Sequence, residues 1–319
     1  MAESKLQYIV SAVIALAVTV GVPLLVNSKQ AVREKEDSSL ADMVSASLNG
    51  YMDGDDSLIC ALVSIKRTGS GDNPVGVHVL RADDGRETFY SWNEQIPVVP
   101  GAVMDAPVHT FLRRRKSLKA GEKLPSRENL IPMLTGSWDD FTDRFNDYFG
   151  SSDAYYLPRY WYRGIELDGF ASIVDGSGLQ LSQGQILTFY DAIANGGVRA
   201  RHRYFRERRI CPEGIAGEMG GILRENVKSG VGKPLASLPV PVSGAAGSGV
   251  LRVGFVPGAG NVQETGPLNV SSFVGYFPSD KPRYTMCVSL YGLDGAQGTE
   301  AALKVFGSIV RSLENQKLI

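Results

Sequence analysis

Between Val242 and Gly249 the chain reads Val-Ser-Gly-Ala-Ala-Gly-Ser-Gly and runs directly into Val250-Leu-Arg-Val-Gly-Phe255. Glycine weakens a strand, and it is retained inside one where a second backbone or a ligand approaches closely. The run predicts a bare strand with another segment packed against it. The flanking elements decide what kind of sheet that strand joins.

Ser57 to Lys66 and Gly76 to Arg81 have strand composition and are separated by Thr68-Gly-Ser-Gly-Asp-Asn-Pro, a cluster of turn formers that predicts a hairpin. A second hairpin is predicted for Ser271 to Phe277 and Arg283 to Tyr291, around Pro278-Ser-Asp-Lys-Pro282. From Ala102 to about Asn226 the patterns are mostly helical. In Trp138 to Phe149, Phe141, Phe145 and Phe149 recur every four residues, and Asp139, Asp140, Asp143 and Asp147 fall on other faces as a solvated surface. Gly298 to Lys317 predicts a closing helix with Ala302, Val305, Phe306, Ile309 and Leu313 on one stripe. Strands from both chain ends around a helical middle make an α+β order, an antiparallel sheet with helices on its faces.

Ahead of this, Leu6 to Val26 is apolar and uncharged, long enough as a helix to cross a hydrocarbon core of roughly 30 Å. No A-x-A cleavage site follows it, which favours an anchor over a signal peptide. Residues 27–39 are polar and mixed in charge, a juxtamembrane linker or an extension of the anchor helix, and the folded domain is expected over 40–319, its helical part at about 100–235.

A formal net charge of -1 implies no bulk attraction to nucleic acid. Cys60, Cys211 and Cys287 form no C-x-x-C pattern, and an odd count cannot complete a disulfide framework, so buried thiols are expected. His78, His109 and His202 are scattered without zinc-site spacing. No metal or other cofactor is indicated.

Several segments, in order, resemble the class B penicillin-binding transpeptidases. Leu179-Gln-Leu-Ser-Gln-Gly-Gln185 with Phe189-Tyr-Asp-Ala-Ile-Ala-Asn-Gly-Gly197 is similar to the family's T-P-L-Q…A-Y-A-A-I-A-N-G-G, although its proline is Gln183 here. Gly230-Val-Gly-Lys233 resembles the G-T-G-K turn. Ser272-Phe-Val-Gly-Tyr-Phe-Pro278 with Lys281-Pro-Arg-Tyr284 resembles S-F-V-G-Y-x-P…N-P-R-Y, and Ala302-Leu-Lys-Val-Phe306 resembles A-x-P-V-F. The run at Val242 then resembles V-A-G-K-T-G-T-A, with Ala245 and Ala246 at its lysine and threonine and Gly247 kept. The resemblance implies the penicillin-binding protein and serine β-lactamase fold, with a five-stranded antiparallel sheet, helices on both faces and a cytoplasmic N-terminus at residues 1–5.

It also implies where the active site lies. Asn93 followed by Pro100-Gly-Ala-Val-Met-Asp105 resembles N…P-G-S-x-x-K, which sets Ala102 at the nucleophilic serine and Asp105 at the lysine. Arg127-Glu-Asn129 is the best placement of S-x-N, keeping Asn129 and losing the serine at Arg127. No Ser, Thr or Cys has a Lys three residues later, and no G-x-S-x-G elbow occurs. In an unrelated serine hydrolase, losing the nucleophile alone costs on the order of 10⁶ in turnover. The expectation is a membrane-anchored pseudoenzyme of the bacterial envelope. It would serve as scaffold or regulator with cell-wall synthesis or division proteins, or with peptidoglycan, as partners. The alternative is an active D,D-transpeptidase or carboxypeptidase with displaced motifs.

Two further stretches compete for a binding role. Arg199, Arg201, Arg203, Arg206, Arg208 and Arg209 crowd into eleven residues with Glu207 as the only acid, a candidate patch for anionic lipid, glycan polymer or an acidic partner, or else a locally paired face. Tyr155 to Tyr162 carries five aromatic residues, a candidate stacking patch or ordinary packing.

Overall fold

Strand β1, Cys60–Arg67, is buried on both faces from Cys60 to Ile65, as a central strand covered on each side must be. The computed structural model describes residues 22–52, 58–82, 85–90, 98–135, 147–149, 176–177, 179–201, 207–251, 254–258, 261–265 and 267–319. Contacts divide the chain into residues 1–43 and 44–319. Helix α1 covers Val22–Met52, and in its last part Val44, Leu48 and Met52, spaced by four, are fully buried. Residues 1–21, most of the predicted span, lie outside the described residues. Among those described, no helix is long and apolar enough to cross a membrane.

β1 pairs antiparallel with β2, Val75–Ala82, through the predicted hairpin, and on its other side with β10, Tyr284–Tyr291. β10 pairs with β9, Leu268–Phe277, and β9 with β6, Ser243–Leu251. The five antiparallel strands built from both chain ends are therefore present. A sixth, β3 at Gly85–Tyr90, extends the sheet beyond β2, giving the order β3-β2-β1-β10-β9-β6. The glycine-rich run is itself the edge strand, ending at Leu251. Beyond it β7, Gly254–Gly258, pairs with β8, Asn261–Thr265, in the register that β6 and β9 set, Leu251 opposite Leu268 and Gly254 opposite Thr265, with residues 252–253 outside the described residues.

Along β9 the side chains alternate. Phe273 and Phe277 meet Phe306 of the closing helix at 4.7 and 5.7 Å between ring centroids, whereas Val270, Val274 and Tyr276 join the core on the opposite face. That closing helix, Gly295–Asn315, starts at Asp294, whose carboxylate accepts from Gln297 N at 2.9 Å, and every residue of its predicted stripe is buried.

Among the described residues the opposite face carries four helices, here α2 to α5, which makes the closing helix α6. They are α2, Asp105–Arg114, continuing a single 3₁₀ turn at Gly101–Met104, α3, Arg127–Thr135, α4, Gln183–Ala194, and α5, Glu213–Ser229. A two-stranded ribbon, β4 at Val198–Arg199 and β5 at Arg208–Arg209, lies between α4 and α5 in the chain. Helix α4 begins with a reciprocal capping box between Ser182 and Gln185. Its first residue, Gln183, is fully buried: its Oε1 accepts from Ser64 Oγ at 2.7 Å, and its Nε2 donates to Ser289 Oγ at 2.9 Å and to Leu62 O at 3.2 Å. A side chain that satisfies hydroxyls on two central strands thus replaces the family's proline.

Helices α2 and α5 are clamped by Arg113, whose guanidinium holds the Glu218 carboxylate through three contacts of 2.8 to 3.0 Å. One turn earlier, buried His109 has Nε2 3.2 Å from Glu122 O, and its Nδ1 has no hydrogen-bond partner among the described residues. Burial pulls His109 below its usual pKa, and the Glu122 carbonyl and Glu218 offset this only in part. A group with a depressed folded pKa contributes fully above the unfolded value of about 6.5 and loses that contribution as pH falls through the folded one. The melting temperature is expected to drop as pH is lowered below about 6.5, and His109→Phe should flatten that part of the profile. An unchanged profile in the variant would assign the loss to other groups.

Candidate functional site

The chain turns into α2 at Gly101, which has φ +51 and so adopts a conformation that favours glycine. Residues 101 to 104 then wind into α2, with Val103 N donating to Pro100 O at 3.1 Å. Tyr190 on α4, fully buried, donates its hydroxyl to Val103 O at 2.9 Å and pins the helix start from below. Gly101, Val103, Met104 and Ala106 are buried, and Ala102 and Asp105 are exposed. The i, i+3 spacing therefore presents these two side chains together on the open face of a helix otherwise sunk in the core.

Strand β6 backs this helix start. A Cβ on Gly247 would overlap Pro100 O and lie 2.8 Å from Val103 N and 3.0 Å from Ala102 N, and a Cβ on Gly101 would overlap Ser248 O. Two backbones meet where no side chain fits, which accounts for glycine at both positions. Ala245 and Ala246 are half-buried just upstream, and Ser248 is exposed just downstream. At its other end β6 is tied to α5 by Asn226, whose Nδ2 donates to Gly244 O at 2.8 Å. Ala102, Asp105 and the Ala245–Gly247 strand thus line one place in the fold. On this face they bring the Ala102 methyl group, the Asp105 carboxylate, the Ala245 methyl group and a bare backbone, while Ala246, opposite Phe273, lies on the face toward α6.

Arg127 and Asn129 begin α3. Asn129 is exposed, with Nδ2 donating to Ser126 Oγ at 3.2 Å and its backbone N–H to Ser126 O at 2.9 Å, so Ser126 and Asn129 form a local pair at the helix start. Ser126, and Ser248 on β6, went unread in the sequence. The strand alternation after Gly247 was the available signal for Ser248.

Of the arginine cluster, Arg203 and Arg206 lie outside the described residues. Arg199 donates to Asp147 O at 3.0 Å, Arg208 pairs with the Asp147 carboxylate, and Arg209 donates to Gly196 O at 2.9 Å. Arg201 is exposed. Burial lowers the Arg199 pKa, with Asp147 offsetting the effect and Arg208 adding to it. These partners make much of the cluster a locally paired face. Tyr155 to Tyr162 and Asp139 to Asp143 also lie outside the described residues, although Tyr148 and Phe149 pack their rings on Phe189 at 5.5 and 6.2 Å. No group of His, Cys, Asp or Glu among the described residues could hold a metal ion.

The family model described as "Penicillin binding protein transpeptidase domain" matches residues 145–312. Among solved structures, the transpeptidase domain of the FtsI4 D,D-transpeptidase from Legionella pneumophila is 17% identical with a TM-score of 0.62, over 85% of this chain and 95% of that one. The transpeptidase domain of penicillin-binding protein 3 from Burkholderia pseudomallei is 15% identical with a TM-score of 0.64, over 88% and 95%. Penicillin-binding protein 2B from Streptococcus pneumoniae is 11% identical with a TM-score of 0.64, over 86% of this chain and 58% of that one. No curated protein matches the sequence.

Proposed function

The chain belongs to the penicillin-binding protein transpeptidase domain family, and from that premise we propose that it is a member without acyl-transfer chemistry, a scaffold or regulator in peptidoglycan synthesis or cell division. The observation that carries the reading is the open face of the helix start: its two exposed side chains are Ala102 and Asp105, opposite a strand whose side chain next to Gly247 on that face is Ala245. Acyl transfer needs a hydroxyl or thiol whose proton can pass to a base. Ala102 supplies no nucleophile. Asp105, one helical turn on, would repel an anionic substrate terminus, and Ala245 offers it no cation or hydroxyl.

In this reading residues 6–26 anchor the chain in the bacterial cytoplasmic membrane in a single pass, with residues 40–319 outside the cytoplasm. Its partners are cell-wall synthesis or division proteins, with the bare β6 edge and its surroundings available to a peptidoglycan strand that is held and not cut. The test is turnover. Full-length protein in detergent is incubated with a peptide ending in D-alanyl-D-alanine, and free D-alanine is expected to stay at the buffer rate. D-alanine release that a penicillin blocks would establish an active D,D-transpeptidase or carboxypeptidase in its place.

A further inference from the structure

We propose that the fold joins two stretches distant in sequence, residues 113–123 and residues 207–213 with Arg199 and Arg201, into one cationic docking surface for an acidic segment of a protein partner. The first stretch holds Arg113, Arg114, Arg115, Lys116, Lys119 and Lys123 with Glu122 as its only acid, in a chain whose cations and acids balance as a whole at 33 and 34. The dipole of α2 accounts for cations in its last turn, Arg113 and Arg114, but not for those beyond the helix. The second stretch holds Arg199, Arg201, Arg208 and Arg209 of the arginine cluster. Arg114 connects them by donating from Nη1 to Ile210 O, one residue past Arg209. Arg209 in turn donates from Nη1 to Cys211 O at 3.5 Å, so the two guanidiniums sit on adjacent carbonyls of one segment.

Arg113 is matched by Glu218, and Arg199 and Arg208 share Asp147. Exposed beyond these are Arg115, Lys116, Lys119, Lys123, Arg201 and Arg209. Two features favour a protein partner over a membrane or a phosphate polymer. Arg114 on Ile210 O, and Arg209 on Gly196 O and Cys211 O, are held in place by backbone carbonyls. A planar fork held this way suits carboxylates at defined positions. Exposed Glu122, Glu207 and Glu213 are also interspersed in the surface. They would repel a uniformly anionic ligand, whereas a partner of mixed sign can meet them. The surface begins at the far end of α2 from Ala102, roughly 18 Å along the helix axis, so it stands whether or not the site has chemistry.

The full-length chain in neutral-lipid nanodiscs is titrated with a fluorescein-labelled poly-glutamate peptide and, separately, with phosphatidylglycerol vesicles. The peptide is expected to bind, weakening as salt is raised, and to bind more tightly than the vesicles at equal anion concentration. Paired reversals in either stretch, Lys119→Glu with Lys123→Glu or Arg201→Glu with Arg209→Glu, should each weaken the peptide about tenfold. The corresponding glutamine pairs should weaken it about threefold with an unchanged melting temperature, and they carry the test if a reversal fails to fold. Tighter binding to vesicles, sensitivity confined to one stretch, or peptide binding that no pair changes would each overturn the proposal.

Discussion

Ala102→Ser alone is expected to leave the protein unlabelled by a fluorescent penicillin. Partial labelling should require Asp105→Lys and Ala245→Lys along with the serine. The added hydroxyl would stand on the exposed face at the helix start, so access is not the obstacle. Its proton would have nowhere to go, because the residue at i+3 is a carboxylate on the same face, and the ligand carboxylate would meet Asp105 and the Ala245 methyl group. Lysine at 105 places an amine one turn from the serine, and lysine at 245 places a cation on the strand that touches the helix start through Gly247. Groups that act as a unit are strongly non-additive, with single losses costing about as much as the whole, on the order of 10⁶ in an unrelated serine hydrolase. The restored signal is therefore expected only in the triple variant. Labelling of the single serine variant to the same extent would show that the frame needs nothing but a nucleophile.

Asp191→Ala is expected to destabilise the domain by about 3–5 kcal/mol, the usual cost of removing one partner of a buried ion pair. Asp191 on α4 is 2% exposed and lies 3.0 Å from Lys66 Nζ at the end of β1. It also accepts from Gly69 N at 2.9 Å and from Thr285 Oγ1 at 3.4 Å. One carboxylate thus ties the turn after β1, the strand β10 and the helix α4. Burial pushes its pKa up, while Lys66, the Gly69 N–H and the Thr285 hydroxyl pull it back. The alanine would leave the Gly69 N–H unpaired and Lys66 with Ser70 O, 3.0 Å away, as its remaining described acceptor. Asp191→Asn, which keeps an acceptor for the Gly69 N–H, should cost less. Urea denaturation checks both: a lower midpoint at unchanged slope is expected for the alanine, and an unchanged midpoint would mean that the pair is not coupled to folding.

The periodic elements were the legible ones. Both predicted hairpins and the stripe of α6 follow from alternation and four-residue spacing, and they were recovered to within a few residues because each buries a continuous apolar face. β3 was missed because Gly85–Tyr90 carries Arg86 and Glu87 and lacks an apolar alternation, so its place depends on pairing with β2. At the site, glycine at 247 was legible as a requirement for close approach, and its partner, Pro100 O, is set by tertiary packing alone. The Gln183 and Asp191 networks were invisible because a polar residue inside a helical pattern reads as solvated until the strands it bonds are in place.

The claim that the site has lost its chemistry is tested most directly by exposing the unmodified full-length protein to a fluorescent penicillin and analysing the intact mass and the peptides by mass spectrometry. The account predicts no covalent adduct on any residue, with the intact mass unchanged after prolonged incubation. An adduct that forms in proportion to the penicillin and maps to a single serine, threonine or cysteine would contradict it and identify the working nucleophile.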